Sequence, residues 1–258
     1  MTWIQEPEDP QVAKFQMLKH KEERGATCIA DHEKTVLRLL SSNWEVDSIF
    51  ATPRYLKKHW ESIRLRLDDP TKIFCAEESV FAETIGYALH RGFLATAKHP
   101  GFESHWEGPS IACQGIVDAE NLGAIVRTGV AFGIRSFVLD KETTYPFLRR
   151  TIRVSMGNIF QAKFCQVENL AEEIRRRKKE REALAIGLSL PDPKFLSLGW
   201  EGWKFPEKGL LVVGNEANGI SEETKKALDG LLSIPMSEGV DSLNVSHALA
   251  ACLGRGWH

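Results

Sequence analysis

The stretch Leu210-Leu211-Val212-Val213-Gly214-Asn215-Glu216-Ala217-Asn218-Gly219-Ile220-Ser221 decides the fold. Its unbroken apolar run, expected as a strand over 209–213, lacks the alternation of a half-solvated strand. A strand that is apolar on both faces belongs in a parallel sheet covered by helices. Gly214 at its end has no Cβ to keep a ligand off the main chain. Glu216 stands at the strand tip, where a carboxylate is costly unless paired or used. The bland alternative is a turn whose Asn and Gly serve backbone geometry alone. A phosphate loop is excluded, because the G-x-x-x-x-G-K pattern is missing, and no G-x-G-x-x-G supports a dinucleotide site.

Two other stretches repeat the order strand, Gly/Asn turn, helix. One runs from Ile116 to Gly133; the other follows Ser233-Ile234-Pro235-Met236 and reads Asp241-Ser242-Leu243-Asn244-Val245-Ser246-His247-Ala248. In the first, Asn121 is a fair helix N-cap, and Arg127 lies six residues on. Arg127 is either a surface residue of an amphipathic helix or partly enclosed by Ile125, Val126 and Val130. Gly129 and Ala131 are small enough to admit another backbone. In the last stretch, Ser242 is either an N-cap or a functional hydroxyl. It is not read as a nucleophile, since no G-x-S-x-G elbow exists and no base is paired with it.

Around these stretches the pattern is alternating. Strands are expected over 111–117, 136–139, 163–167, 184–188 and 231–234, with helices over 123–132, 170–181, 221–228 and 243–253. Such alternation implies an α/β fold with a parallel sheet, whose ligands sit outside the carboxyl ends of the strands. The first hundred residues read as a smaller α/β unit, with helices over 33–40, 53–67 and 79–85 and strands over 46–51 and 72–76. An edge strand is expected at Phe93-Leu94-Ala95, after His90-Arg91-Gly92. The turn-rich segment from Lys98 to Pro109 carries the boundary, giving domains 1–106 and 107–258.

The 258 residues are 43% apolar, enough for a sizeable core, and carry a formal charge of −2. No apolar run reaches the roughly 18 residues of a membrane span, and 1–10 lacks a signal-peptide core. Five cysteines, at 28, 75, 113, 165 and 252, never fall in C-x-x-C spacing. This argues against a zinc site or a disulfide framework and for a cytoplasmic location. Near-neutral charge leaves nucleic-acid binding to local patches. Arg149-Arg150 with Arg153 lies in a loop-like region after Thr143-Thr144-Tyr145-Pro146, whereas Arg175 to Lys179 and Arg181 read as a solvated helix face diluted by glutamates.

Taken together, N-L-G-x-I-x-R-T at 121–128, V-G-N-E-x-x-G-I-S at 213–221 and I-P-M…S-L-N-V-S-x-A at 234–248 resemble the three motifs of the SpoU/TrmH branch of SPOUT RNA methyltransferases. Arg153-Val154-Ser155-Met156-Gly157 is similar to that family's R-x-S-x-G segment, and the first hundred residues resemble its L30e-type RNA-binding domain. The chain departs from the pattern at Ala119-Glu120, Ala217 and His247.

The resemblance implies a SPOUT-type sheet with a C-terminal deep trefoil knot, a feature rare enough that fold rules alone would not suggest it. It also implies transfer of a methyl group from S-adenosyl-L-methionine to a ribose 2′-hydroxyl of rRNA or tRNA, by a homodimer, without metal. By motif position, Gly214, Asn215, Ile234, Met236 and Leu243 would hold the cofactor, largely through backbone groups. Arg127, Asn121, Glu216, Ser242 and Asn244 would carry catalysis. A guanidinium is hard to deprotonate, so Arg127 is expected to bind phosphate and polarise the hydroxyl, with Glu216 orienting Arg127 or its neighbours. Arg149, Arg150, Arg153 and Ser155 would meet RNA. The competing reading is a SPOUT-like RNA-binding protein without catalysis; an unrelated nucleotide-using enzyme would make the three motifs accidental.

Overall fold

The computed structural model describes residues 1–16, 25–86, 92–181, 184–239 and 242–257. His90, Arg91 and Asp241 therefore lie outside the described residues. In chain order the first elements are β1 (Thr2–Trp3), α1 (Ala13–Gln16), β2 (Thr27–Asp31), α2 (Glu33–Leu40), β3 (Glu45–Ala51), α3 (Pro53–Arg64), β4 (Ile73–Cys75), α4 (Glu78–Ile85) and β5 (Phe93–Lys98). There follow β6 (Ser110–Gln114), α5 (Ala119–Ala131), β7 (Ser136–Asp140), α6 (Arg149–Val154), β8 (Lys163–Val167), α7 (Leu170–Arg181) and β9 (Ala185–Leu188). The last are β10 (Ser197–Leu198), β11 (Leu210–Gly214), α8 (Glu222–Ala227), β12 (Gly230–Leu232) and α9 (Val245–Gly256).

By internal contacts the chain forms two units: Met1–Gly101 with Phe147–Phe160, and Phe102–Pro146 with Gln161–His258. The division differs from a single cut at 106/107, because the segment carrying α6 packs with the first unit. Its anchors there are apolar and electrostatic: Phe147 and Phe160 lie edge-on to Trp44, with centroids 5.6 and 5.0 Å away, and Arg149 pairs with Asp31.

The first unit holds a five-stranded sheet in the order β1-β4-β3-β5-β2. β5 runs antiparallel to both β3 and β2. It is thus an interior strand rather than the expected edge, which fits the burial of Phe93 to Ala97. The core packs Phe15, Phe50, Phe81, Ile85 and Leu94, with Phe50 stacked on Phe81 at 4.5 Å.

The second unit holds seven strands in the order β10-β12-β9-β11-β6-β7-β8. Every pairing is parallel, as the alternating pattern requires. β11 lies between β9 and β6 with Leu210 to Val213 buried, so its unbroken apolar run serves both faces. A Cβ at Gly129 would come within 2.7 Å of Ile111 and 2.9 Å of Phe137; the missing side chain lets α5 settle on sheet side chains, not on another backbone. The registers Gly214↔Gln114 and Leu232↔Leu188 put the ends of β6, β9, β11 and β12 on one rim.

Candidate active site

The rim is built from a buried carboxylate outward. Asp140, at the end of β7, accepts the Gly115 amide on both oxygens at 3.0 Å. It also accepts the Thr143 amide at 2.8 Å and the Thr143 hydroxyl at 2.7 Å. The Thr143 hydroxyl in turn accepts the Ile116 amide at 3.2 Å. This fixes the turn after β6, where Gly115 adopts φ +64°. Asn215 then donates to the Gly115 carbonyl at 2.8 Å, tying the loop after β11 to the same turn. Its own Oδ1 accepts the Ala217 amide at 2.8 Å, and its carbonyl accepts the Gly219 amide at 2.7 Å. A Cβ on Gly214 would collide with the backbone of Gly219 and Ile220. Glycine is therefore required there by the chain's own fold-back.

Three loops meet through side chains. Asn121 Nδ2 donates to Glu216 Oε1, and Asn244 Nδ2 donates to Asn121 Oδ1 at 2.9 Å. Asn244 Oδ1 accepts the amide and hydroxyl of Ser246 at 2.9 and 2.7 Å. Asn244 is thus the N-cap of α9, not Ser242. Likewise Asp118 caps α5, accepting the Glu120 amide at 2.9 Å, which places Asn121 inside the first helical turn. From inside the turn, Asn121 reaches two other loops, through Glu216 and Asn244.

Arg127 stands apart. It is exposed, and among the described residues no hydrogen bond or ion pair engages it. Six residues of α-helix advance about 600°, leaving Asn121 and Arg127 roughly 120° apart around α5. Of the expected alternatives, Arg127 or its neighbours, Glu216 engages Asn121 on the same helix, and Arg127 is not enclosed.

Beside the network lies a cavity of about 330 Å³, lined by Gly214, Asn215, Glu216, Ile234, Met236, Ser242 and Leu243 among others. All five expected cofactor residues are there, with two of the expected catalytic ones. Its size is at the lower end for a small-molecule site, and its wall of Leu188, Val213, Ile234, Leu243 and Val245 suits a nucleoside face. Sequence reasoning missed the wall from Leu188 to Asp192 and Lys225. The signal was present for the former: 188–192 follows a strand end on the same rim.

The arginines expected to meet RNA belong by contacts to the first unit. Their segment is the helix α6 rather than a loop. Arg149 Nε donates to Asp31 Oδ2 at 2.8 Å and Nη2 lies 2.6 Å from the same oxygen; the Asp31 side chain is wholly buried. Ser155 is buried, its hydroxyl donating to the Ile152 carbonyl at 2.9 Å. Arg149 and Ser155 are thus spent on packing, while Arg150 is exposed and Arg153 half-buried. In α7, Arg177 departs from the expected solvated face: it is buried, 3.0 Å from Glu173 and over the Trp106 ring at 5.2 Å.

All five cysteines are buried and outside any disulfide. Burial raises the thiols of Cys75 to about 11 and Cys252 to about 12, and that of Cys113 higher still. They are poor nucleophiles, and thiolate chemistry is not the site's resource. Among the described residues no cluster of three or more His, Cys, Asp or Glu could hold a metal ion, and no helix is long and apolar enough to cross a membrane.

Comparison with known proteins bears on the same residues. A model of the family described as SpoU rRNA Methylase matches residues 109–254. An uncharacterized tRNA/rRNA methyltransferase of Mycobacterium bovis is 27% identical over 95% of this chain and 88% of its own. A 23S rRNA (guanosine-2′-O-)-methyltransferase of Nitrosomonas europaea is 27% identical over 78% of this chain and 79% of its own. In fold, the chain is similar to the AdoMet-bound rRNA methyltransferase of Sinorhizobium meliloti, with a TM-score of 0.80, 20% identity and coverage of 98% and 96% of the two chains. It is also similar to the SpoU methyltransferase AviRb of Streptomyces viridochromogenes, with a TM-score of 0.76, 16% identity and coverage of 95% and 96%.

Proposed function

The chain belongs to the SpoU rRNA Methylase family, and from that premise we propose that it methylates a ribose 2′-hydroxyl of rRNA or tRNA at the rim of the second unit. The observation that carries this reading is convergence: residues of all three motif loops either line one cavity or join the Asn121–Glu216–Asn244 hydrogen-bonded chain. The relatives named as tRNA/rRNA and 23S rRNA guanosine-2′-O-methyltransferases support the substrate class.

S-adenosylmethionine, when bound, supplies an electrophilic methyl group on a sulfonium. Gly214, Asn215, Ile234, Met236 and Leu243 would hold it in the cavity. The reaction forms one O–C bond and breaks one S–C bond, and the hydroxyl proton must leave. Alignment of the hydroxyl supplies much of the rate. Glu216 holds the Asn121 amide and Asn121 holds Asn244, a fixed polar edge against which a ribose can be oriented. Arg127, exposed and unengaged, is suited to the target phosphate and to polarising the attacking oxygen. The proton then passes to phosphate, Ser242 or water. Arg150 and Arg153 would add phosphate contacts, making RNA affinity salt-dependent. An L30e-like RNA-binding role for the first domain, a homodimer through the second, a cytoplasmic location and a C-terminal trefoil knot belong to the same reading.

The test is transfer of labelled methyl from S-adenosylmethionine to rRNA and tRNA, followed by nuclease digestion and mass spectrometry. A 2′-O-methylnucleoside that appears with the native protein and falls about 100-fold or more with Arg127→Ala is expected. Calorimetric binding of the cofactor with no transfer to either RNA would favour the RNA-binding reading. Unchanged turnover by Arg127→Ala would overturn the role given to that residue.

A further inference from the structure

The cavity wall that the three motifs do not supply carries an ion pair. Lys225 Nζ lies 2.9 Å from Asp192 Oδ2, joining α8 to the segment after β9. Both residues line the cavity, and their side chains are only 17% and 22% exposed. Lys225 is the one cation among the described lining residues. The other lining carboxylate, Glu216, is exposed and accepts from Asn121.

We infer that Asp192 and Lys225 together recognise the zwitterionic amino-acid end of the cofactor, Asp192 taking its ammonium and Lys225 its carboxylate. The inference rests on the methyltransferase reading and deepens it. Capacity remains on both partners. An ammonium has three donors and a carboxylate about four acceptor positions. In their mutual contact Lys225 spends one donor, and among the described residues Asp192 otherwise accepts the Lys194 amide, at 3.2 Å.

The pair is also held before any ligand arrives. The Asp192 carbonyl accepts the Phe195 amide at 3.1 Å, and Lys225 Nζ lies 5.7 Å from the Phe195 ring centroid. A second ion pair of opposite polarity, Lys194–Glu222 at 3.1 Å, fastens the same segment to the same helix. Ordering cost on binding is therefore small. A fixed dipole of this kind against an apolar cavity complements a dipolar ligand. The Lys225 hydrogen bond holds the Asp192 carboxyl below its ordinary pKa, so the charged form persists at neutral pH.

Calorimetry on the full chain with three ligands tests this. S-adenosylhomocysteine carries both charges, decarboxylated S-adenosylmethionine only the amine at that end, and 5′-methylthioadenosine neither. Lys225→Met should weaken S-adenosylhomocysteine about 10- to 100-fold, leave methylthioadenosine unchanged and not weaken decarboxylated S-adenosylmethionine. Asp192→Asn should weaken both amine-bearing ligands and leave methylthioadenosine unchanged. Retained methylthioadenosine affinity also certifies that each variant is folded. Equal weakening of all three ligands would mean the pair is only a clasp for the wall, and unchanged S-adenosylhomocysteine affinity would exclude it from recognition; either overturns the assignment. Failure of the native protein to bind any of the three would sink the methyltransferase reading itself, and this assignment with it.

Discussion

Asp31–Arg149 in the first unit and Asn121–Glu216–Asn244 in the second are both polar clusters joining distant parts of the sequence, yet they differ in what surrounds them. The Asp31 side chain is 0% exposed and that of Arg149 15%, so little of the pair faces solvent. Glu216 and Asn244 are exposed and Asn121 half-buried. Removing one member of the buried pair strands a charge in the interior. The rim groups can exchange their mutual hydrogen bonds for those of a ligand at little net cost. Proximity of arginines in sequence is thus a poor guide to function: Arg149 holds α6 to β2, while its neighbour Arg150 faces solvent.

The comparison breaks most readily at its largest expected effect. Arg149→Ala should lower the unfolding free energy of the first unit by about 3–5 kcal/mol, read by urea denaturation. Arg127→Ala, exposed and unengaged, should change stability by less than about 0.5 kcal/mol while removing activity. Similar stability losses in the two variants would erase the distinction between fold arginine and site arginine.

Next in size is Gly214→Ala. The added Cβ meets the backbone of Gly219 and Ile220, which cannot step aside as a flexible side chain could. A loss of about 1–3 kcal/mol is expected, together with cofactor affinity, since the displaced turn is cavity wall. Native stability in this variant would mean that the turn relaxes freely and that the rim is softer than its hydrogen bonds indicate.

Asn244 sharpens the comparison further, because one side chain does two jobs. Asn244→Ala should cost about 1 kcal/mol through the lost N-cap and a much larger share of methyl transfer. Asn244→Asp keeps the acceptor for the Ser246 amide but lacks the donor to Asn121. Its stability should stay near native while its transfer rate falls as in the alanine variant. Full activity in Asn244→Asp would show that the Asn121 contact is structural only.

How much of this was legible in sequence followed from how local each cause is. The parallel sheet could be read because short apolar runs alternate with helical periodicity and each run is its own signal. The order β10-β12-β9-β11-β6-β7-β8 could not, since nothing local states which strand neighbours which. The cavity residues from the motifs were legible through Gly214, Ile234 and Leu243, but Lys225 was not, because a lysine in a short helix reads as solvated surface. The helix α6 was missed because three arginines in six residues give no apolar stripe. Arg149 was assigned to RNA because its partner Asp31 lies 118 positions away. Interior β5 was taken for an edge because antiparallel pairing on both sides leaves no mark on a run of three residues.

The smallest effect concerns pH and falls on the first unit, where charge is structural. Asp47 is raised by partial burial but lowered more by hydrogen bonds from Lys14, Thr96 and Ser48, so its carboxyl titrates below the ordinary value. Glu33 is lowered likewise by hydrogen bonds from Lys58 and His59. A carboxyl whose folded pKa lies below its unfolded pKa binds fewer protons in the native state. Its stabilisation is complete above the unfolded pKa and is lost as pH falls through the folded one. The urea midpoint of the first unit should therefore drop between about pH 6 and pH 3. Asp47→Asn should be less stable than the native protein at the upper pH, with the gap closing at the lower. A gap that stays constant would mean that Asp47 acts through packing rather than charge, leaving the buried Asp31–Arg149 pair as the unit's principal electrostatic anchor.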